Sequence, residues 1–152
     1  MTVPTAPPAP PGHPVHDGLF RLDPDGGITL LGGYSPTSGR HHFPVLDTCP
    51  YSGARDVEAV DLSRTGTLWG WTAVTAAPPG YVGPVPYGFG VVELTAERLR
   101  VITRITESDP SRLAFGQAMT LVADAIGGTT DDGAPLVSWA FAPGVEDERD
   151  AP

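Results

Sequence analysis

Ser35, Ser38, Cys49 and Ser52 stand at a spacing that belongs to metal chemistry. Written with cysteine at the three serines, the stretch from Gly32 to Ala54 becomes C-x-x-C-G followed, ten residues on, by C-P-x-C-G. That is the arrangement of two knuckles holding one zinc ion in four thiolates. Gly39 and Gly53 follow the two pairs where each turn requires a positive φ. Neutral hydroxyls are poor zinc ligands and one thiolate cannot hold the ion, so the four positions are expected to be vestigial and metal-free. Losing a structural zinc removes about 10 to 16 kcal/mol of binding energy otherwise coupled to folding. Serine hydrogen bonds to knuckle N–H groups, with packing of Tyr34, Phe43, Val45 and Tyr51, are expected to replace it.

The remaining polar groups offer less. His41, His42 and Asp47 lie near Cys49, but adjacent strand histidines point to opposite faces, so the two are expected to be exposed strand residues and not a second metal site. Cys49, the four histidines and the serines form no nucleophile–base grouping, and no catalytic residue is assigned. Asp56, Glu58 and Asp61 are expected on the solvated side of a strand, and Asp131-Asp132-Gly133 reads as a hairpin turn. The aromatic residues carry more weight for binding. Tyr81 and Tyr87 bracket a loop stiffened by Pro84 and Pro86, and with Phe89, Trp69 and Trp71 they are the candidates for contact with a partner. For Trp69, Phe89 and Trp139, packing inside a barrel stands beside that role.

These residues must be positioned by short strands. From Ile28 onward β-type runs alternate with Gly, Pro or Asp clusters: 28–34, 41–46, 55–62, 67–76, 87–94, 99–107, 118–125 and 136–141. Leu99, Val101, Thr103 and Ile105 share one face of a half-buried strand. In the same way Leu68, Gly70, Thr72 and Val74 are predicted to oppose Trp69 and Trp71, with Gly70 and Gly90 marking bends or bulges. Helix is confined to turns, one over residues 17–22 and one opened by Asp109 and Pro110. The fold class is all-β, and five strands from residue 55 onward suit an OB-fold barrel.

The boundaries follow. A disordered Pro-rich arm covers 1–16, an N-terminal turn and degenerate zinc ribbon 17–54, the OB-fold 55–143 and an acidic tail 144–152. Charge narrows the partners: the formal net charge is −9, every basic residue is arginine, and no two arginines are adjacent. A nucleic-acid surface wants a basic stripe, so nucleic acid is not expected. The sequence shows neither a signal segment nor an apolar run of the ~20 residues that span a bilayer, and a cytoplasmic location without membrane contact is expected.

Beyond the knuckle spacing, the runs GTLWGWTAV (66–74), PPGYVGPVPYGFGVVEL (78–94), RVITRI (100–105) and DPSRLAFG (109–116) carry a resemblance. From about Leu19 to Phe141 the chain resembles a family of domain-of-unknown-function proteins that join a rubredoxin-like zinc ribbon to an OB-fold and accompany thiolase-like enzymes. It is most similar to small subunits of the benzylsuccinyl-CoA thiolase type. The resemblance implies a non-catalytic accessory subunit of a complex acting on CoA thioesters. The thiolase-like partner supplies the cysteine nucleophile and histidine acid–base groups and binds most of the CoA thioester. This chain shapes the acyl-CoA channel, in a heterotetramer of two small subunits on a thiolase dimer. No cofactor is implied once zinc is absent. The competing reading is a stand-alone OB-fold module for a small ligand or nucleic acid.

Overall fold

The computed structural model describes residues 12–14 and 16–144; most of the Pro-rich arm and the acidic tail from 145 onward lie outside the described residues. The strands are β1 (His13–Pro14), β2 (Phe20–Leu22), β3 (Ile28–Ser35), β4 (Arg40–His42), β5 (Glu58–Asp61), β6 (Thr65–Val74), β7 (Tyr87–Leu94), β8 (Leu99–Ile105), β9 (Ala118–Thr129) and β10 (Pro135–Pro143). A 3-10 turn, Pro110–Arg112, lies between β8 and β9. Asp109 accepts from the Ser111 N–H and a proline opens the turn, as the sequence predicts.

β3 pairs antiparallel with β2, β4 and β5 and is the spine of the ribbon. Strands β6, β7, β8, β10 and β9 close into a barrel, antiparallel except for β10 beside β8. Five strands in this order make an OB-fold. Leu68, Val92, Leu94, Val101, Ile105, Met119, Leu121 and Phe141 fill it, and Phe20, Ile28, Leu30 and Leu62 of the ribbon join the same apolar cluster. Burying one continuous core is what holds the two units together.

Several expectations are corrected. Residues 20–22 form β2 and not a helical turn, because their N–H and C=O groups pair with Ile28 to Leu30. The predicted strand at 55–62 belongs to the ribbon: Glu58 to Asp61 pair with Leu31 to Tyr34, and the Leu62 N–H bonds to Leu30 O at 3.0 Å. The barrel therefore starts at Thr65, not at residue 55, and takes β10 as its fifth strand. Within the predicted arm, His13 and Pro14 run parallel to Leu136 and Val137.

The alternation predicted for β8 holds, with Leu99, Val101, Thr103 and Ile105 all buried. That for β6 does not. Leu68 opposes Val92 and Gly70 opposes Val91, so Trp69 is an extra, bulged residue. The bulge leaves Trp69 outside and turns Trp71 onto the core, where its indole N–H donates to Pro110 O at 3.0 Å. Arg98, in the β7–β8 turn, has φ 54°, a left-handed backbone that costs an L-residue about 1 to 2 kcal/mol.

Candidate functional site

The knuckles survive as two matching turns. Gly39 N–H bonds to Ser35 O at 2.7 Å and Gly53 N–H to Cys49 O at 2.9 Å, with φ of 68° and 77° at the glycines. Ser35, Ser38, Cys49 and Ser52 therefore come from two matching turns, and their side chains are engaged in hydrogen bonds. Cys49 is buried and its thiol donates to Ser38 Oγ at 3.4 Å. Ser38 accepts from the Arg40 N–H, and Ser52 accepts from the Ala54 N–H, the role expected of the serines. Ser35 accepts from the Ser38 N–H at 3.5 Å in the same way and, fully buried, also donates to Asp56 Oδ1 at 2.6 Å.

Asp56 is the group that sequence reasoning missed. Its other oxygen accepts from the Thr37 N–H and hydroxyl at 2.9 and 2.7 Å. It fastens the first knuckle from 21 residues away and is no mere solvated strand residue. The Ser35 and Thr37 bonds hold its carboxyl down at about 2. Once ionised, Cys49 accepts from the Ser38 hydroxyl, then from Ser52, and this brings its pKa from the usual 9.0 to about 6. Three hydroxyls, one of them turned to a carboxylate, and a single thiol do not make a zinc donor set. Among the described residues no three His, Cys, Asp or Glu converge as metal ligands.

His41 packs at a tilt of 42° against Tyr34 with ring centroids 4.8 Å apart, whereas His42 is buried, contrary to the expectation that both are exposed. Its Nε2 accepts from the Leu46 N–H at 3.2 Å, which places the neutral ring's proton on a buried Nδ1. Burial, aided by the neighbouring His41, lowers its pKa below 6.5. In the unfolded chain His42 takes a proton near 6.5, before the folded ring does, so stability present above that pH is lost as pH falls below it. The melting temperature is expected to drop between about pH 7.5 and 5, and His42→Gln is expected to flatten that slope. An unchanged slope in the variant would assign the acid sensitivity elsewhere.

The aromatic candidates fall into two groups. Trp71 packs half-buried against the core, and Trp69 lies outside under the Arg100 guanidinium at 4.2 Å. Tyr81 and Tyr87 pack on each other with centroids 5.1 Å apart and with Arg104 alongside, while the Tyr81 hydroxyl donates to Pro84 O at 2.8 Å. These tyrosines shape the loop from inside it. What the loop and the adjoining strand present to solvent is Val82, 71% exposed, Val85, 43%, and Phe89, 38%. The loop approaches β9 closely at Gly83 and Gly127. A Cβ on Gly83 would lie 2.5 Å from Ile126 O, and one on Gly127 would lie 2.4 Å from Gly83 Cα.

A pair of matching knuckle turns on a ribbon sheet, sharing its core with an OB barrel, defines a ribbon–OB protein. Residues 59–124 match the family model described as the ChsH2 C-terminal OB-fold domain. The chain is 30% identical over 127 residues to the benzoylsuccinyl-CoA thiolase subunit BbsA of Thauera aromatica, covering 83% of this chain and 85% of that protein. The relative's name specifies benzoylsuccinyl-CoA, where the sequence resemblance gave benzylsuccinyl-CoA. A DUF35 domain-containing scaffold protein of Methanocaldococcus jannaschii is 26% identical over 115 residues, 75% of this chain and 81% of the relative. Among solved structures, the Ltp2-ChsH2(DUF35) aldolase superposes with a TM-score of 0.60 at 22% identity, over 77% of this chain and 86% of that one. The chain belongs to the DUF35 family, with an OB-fold of the ChsH2 C-terminal type. Among the described residues no helix is long and apolar enough to cross a membrane.

Proposed function

We propose that this chain is a non-catalytic accessory subunit of a thiolase-like complex that makes or breaks a carbon–carbon bond in a CoA thioester. The likeness to a thiolase subunit over both ribbon and barrel carries this reading. The partner contributes the nucleophile, the acid–base groups and most of the CoA contacts; this chain borders the acyl-CoA channel and stabilises the assembly, two copies to a thiolase dimer, in the cytoplasm. It docks through the apolar surface of Val82, Val85 and Phe89, which the paired tyrosines hold in shape. An exposed apolar group on a stiffened loop suits a protein interface. The acidic charge of −9 weighs against the nucleic-acid version of the stand-alone module.

Co-expression with the thiolase-like subunit of the same host tests the assignment. A co-purifying complex is expected to turn over an acyl-CoA thioester and the isolated chain is not. Activity that stays with the isolated chain through repurification, or failure of the two to associate, would overturn it. The ribbon is proposed to fold without metal, so elemental analysis is expected to find no stoichiometric zinc. One zinc per chain, lost on Cys49→Ala, is the contrary result.

A further inference from the structure

Two neighbouring cavities, of about 630 and 330 Å³, lie where the first knuckle meets the β7–β8 turn, and both are lined by Arg40 and Arg98. Arg100 also lines the larger one. Three of nine arginines, in a chain of net charge −9 without lysine, thus gather in one cleft.

Their charges are unevenly spent. Arg100 Nε pairs with Glu93 Oε2 at 3.1 Å, and its guanidinium lies on the Trp69 ring. Arg40 lies on the Tyr51 ring at 3.8 Å, and among the described residues neither it nor Arg98 has a carboxylate within ion-pair distance. Glu97, in the wall of the smaller cavity, directs Oε1 to the Ser63 N–H and hydroxyl at 2.9 and 2.7 Å. The larger cavity therefore sets three guanidinium groups against one carboxylate that is already paired.

Backbone strain marks the same place independently. Arg98 is the one non-glycine residue with positive φ among the described residues, at 54°, in a turn closed by its N–H to Thr95 O at 3.3 Å. Glycine fills such a hairpin position with least strain. A long cation held there against the backbone's preference, with its side chain lining both cavities, is the pattern of strain kept for a site.

We propose that Arg40, Arg98 and Arg100 form a binding site for a phosphate-bearing small anion of the pyrophosphate or nucleoside diphosphate class. The guanidinium fork matches phosphate oxygens two at a time. Tyr51 and Trp69 hold two of the forks flat, so less freedom is lost when the anion arrives. The proposal rests on the accessory-subunit reading only for one source of such phosphates, the nucleotide end of a CoA thioester; the other source is free phosphate or pyrophosphate.

Calorimetric titration of the full chain, without partner, against inorganic phosphate, pyrophosphate and coenzyme A at about 20 mM salt keeps screening low. Saturable binding of pyrophosphate or coenzyme A is expected. Arg98→Gly is expected to weaken it at least about tenfold while leaving the melting temperature unchanged or higher, since glycine relieves the strained φ. Arg112→Ala, on the 3-10 turn, should bind as the parent does. Coenzyme A binding more tightly than pyrophosphate assigns the site to the nucleotide; equal or weaker binding assigns it to free phosphates. No saturable binding of any probe, or undiminished binding in Arg98→Gly, overturns the site. Because no partner is present, that failure leaves the accessory-subunit reading standing. A chain that binds pyrophosphate but no thiolase-like subunit overturns only the latter.

Discussion

Trp139→Ala is expected to lower stability by about 3 to 5 kcal/mol and to loosen the ribbon from the barrel before the barrel itself opens. Trp139 stands on β10, its ring 5.9 Å from Phe20 of β2 and 5.5 Å, edge-on, from Phe43 after β4. Each aromatic pair adds about 0.5 to 1.5 kcal/mol beyond area burial. The indole N–H is buried with no partner among the described residues, so the variant forfeits packing and no hydrogen bond. Urea unfolding should give the size of the loss. Amide exchange should show β2 and β3 losing protection ahead of β7 and β8. A loss under about 1 kcal/mol, or uniform loss of protection, would mean that the wider cluster around Leu30, Leu62 and Phe141 joins the units without this residue.

Charge placed on the apolar surface should have the largest effect on assembly. Val82→Asp combined with Phe89→Asp is expected to weaken association with the catalytic subunit at least about 30-fold, or about 2 kcal/mol. The free chain should melt within a few degrees of the parent, because both side chains already face solvent. Tyr81→Ala and Tyr87→Ala should behave otherwise. They remove the ring pair and the bond to Pro84 O that shape the loop, so local order falls first and affinity with it. If the double aspartate variant keeps full affinity, the interface lies on another face, with the ribbon the next to test.

The parts that the sequence made legible are those governed by local rules. Period-two alternation placed Leu99, Val101, Thr103 and Ile105 inside, and the glycine after each knuckle pair marked both positive-φ turns. The bulge at Trp69 was hidden because both faces of the predicted strand offered residues able to be buried; only pairing with Val91 and Val92 decides which tryptophan turns inward. Pairing likewise decided that Glu58 to Asp61 complete the ribbon, a choice of edge that alternation does not encode. Asp56 lies beyond any spacing rule: its partnership with Ser35 spans 21 residues and fastens the first knuckle through a carboxylate. His41 and His42 are the same residue type on opposite faces, so alternation separated them without showing that His42 is the buried one.

The contact of Gly83 and Gly127 bears on how such a surface can diverge. An added side chain at Gly83 would collide with Ile126 O and the Tyr81 ring, and one at Gly127 with the backbone of Val82 and Gly83, so those two positions have almost no freedom to change. Val82 and Val85, on the solvent side of the same loop, contribute little to folding and can drift in size and polarity. Selection for a new neighbour can thus rewrite the outer residues one at a time while the platform under them stays fixed, and innovation on this loop is largely separated from the risk of losing the fold.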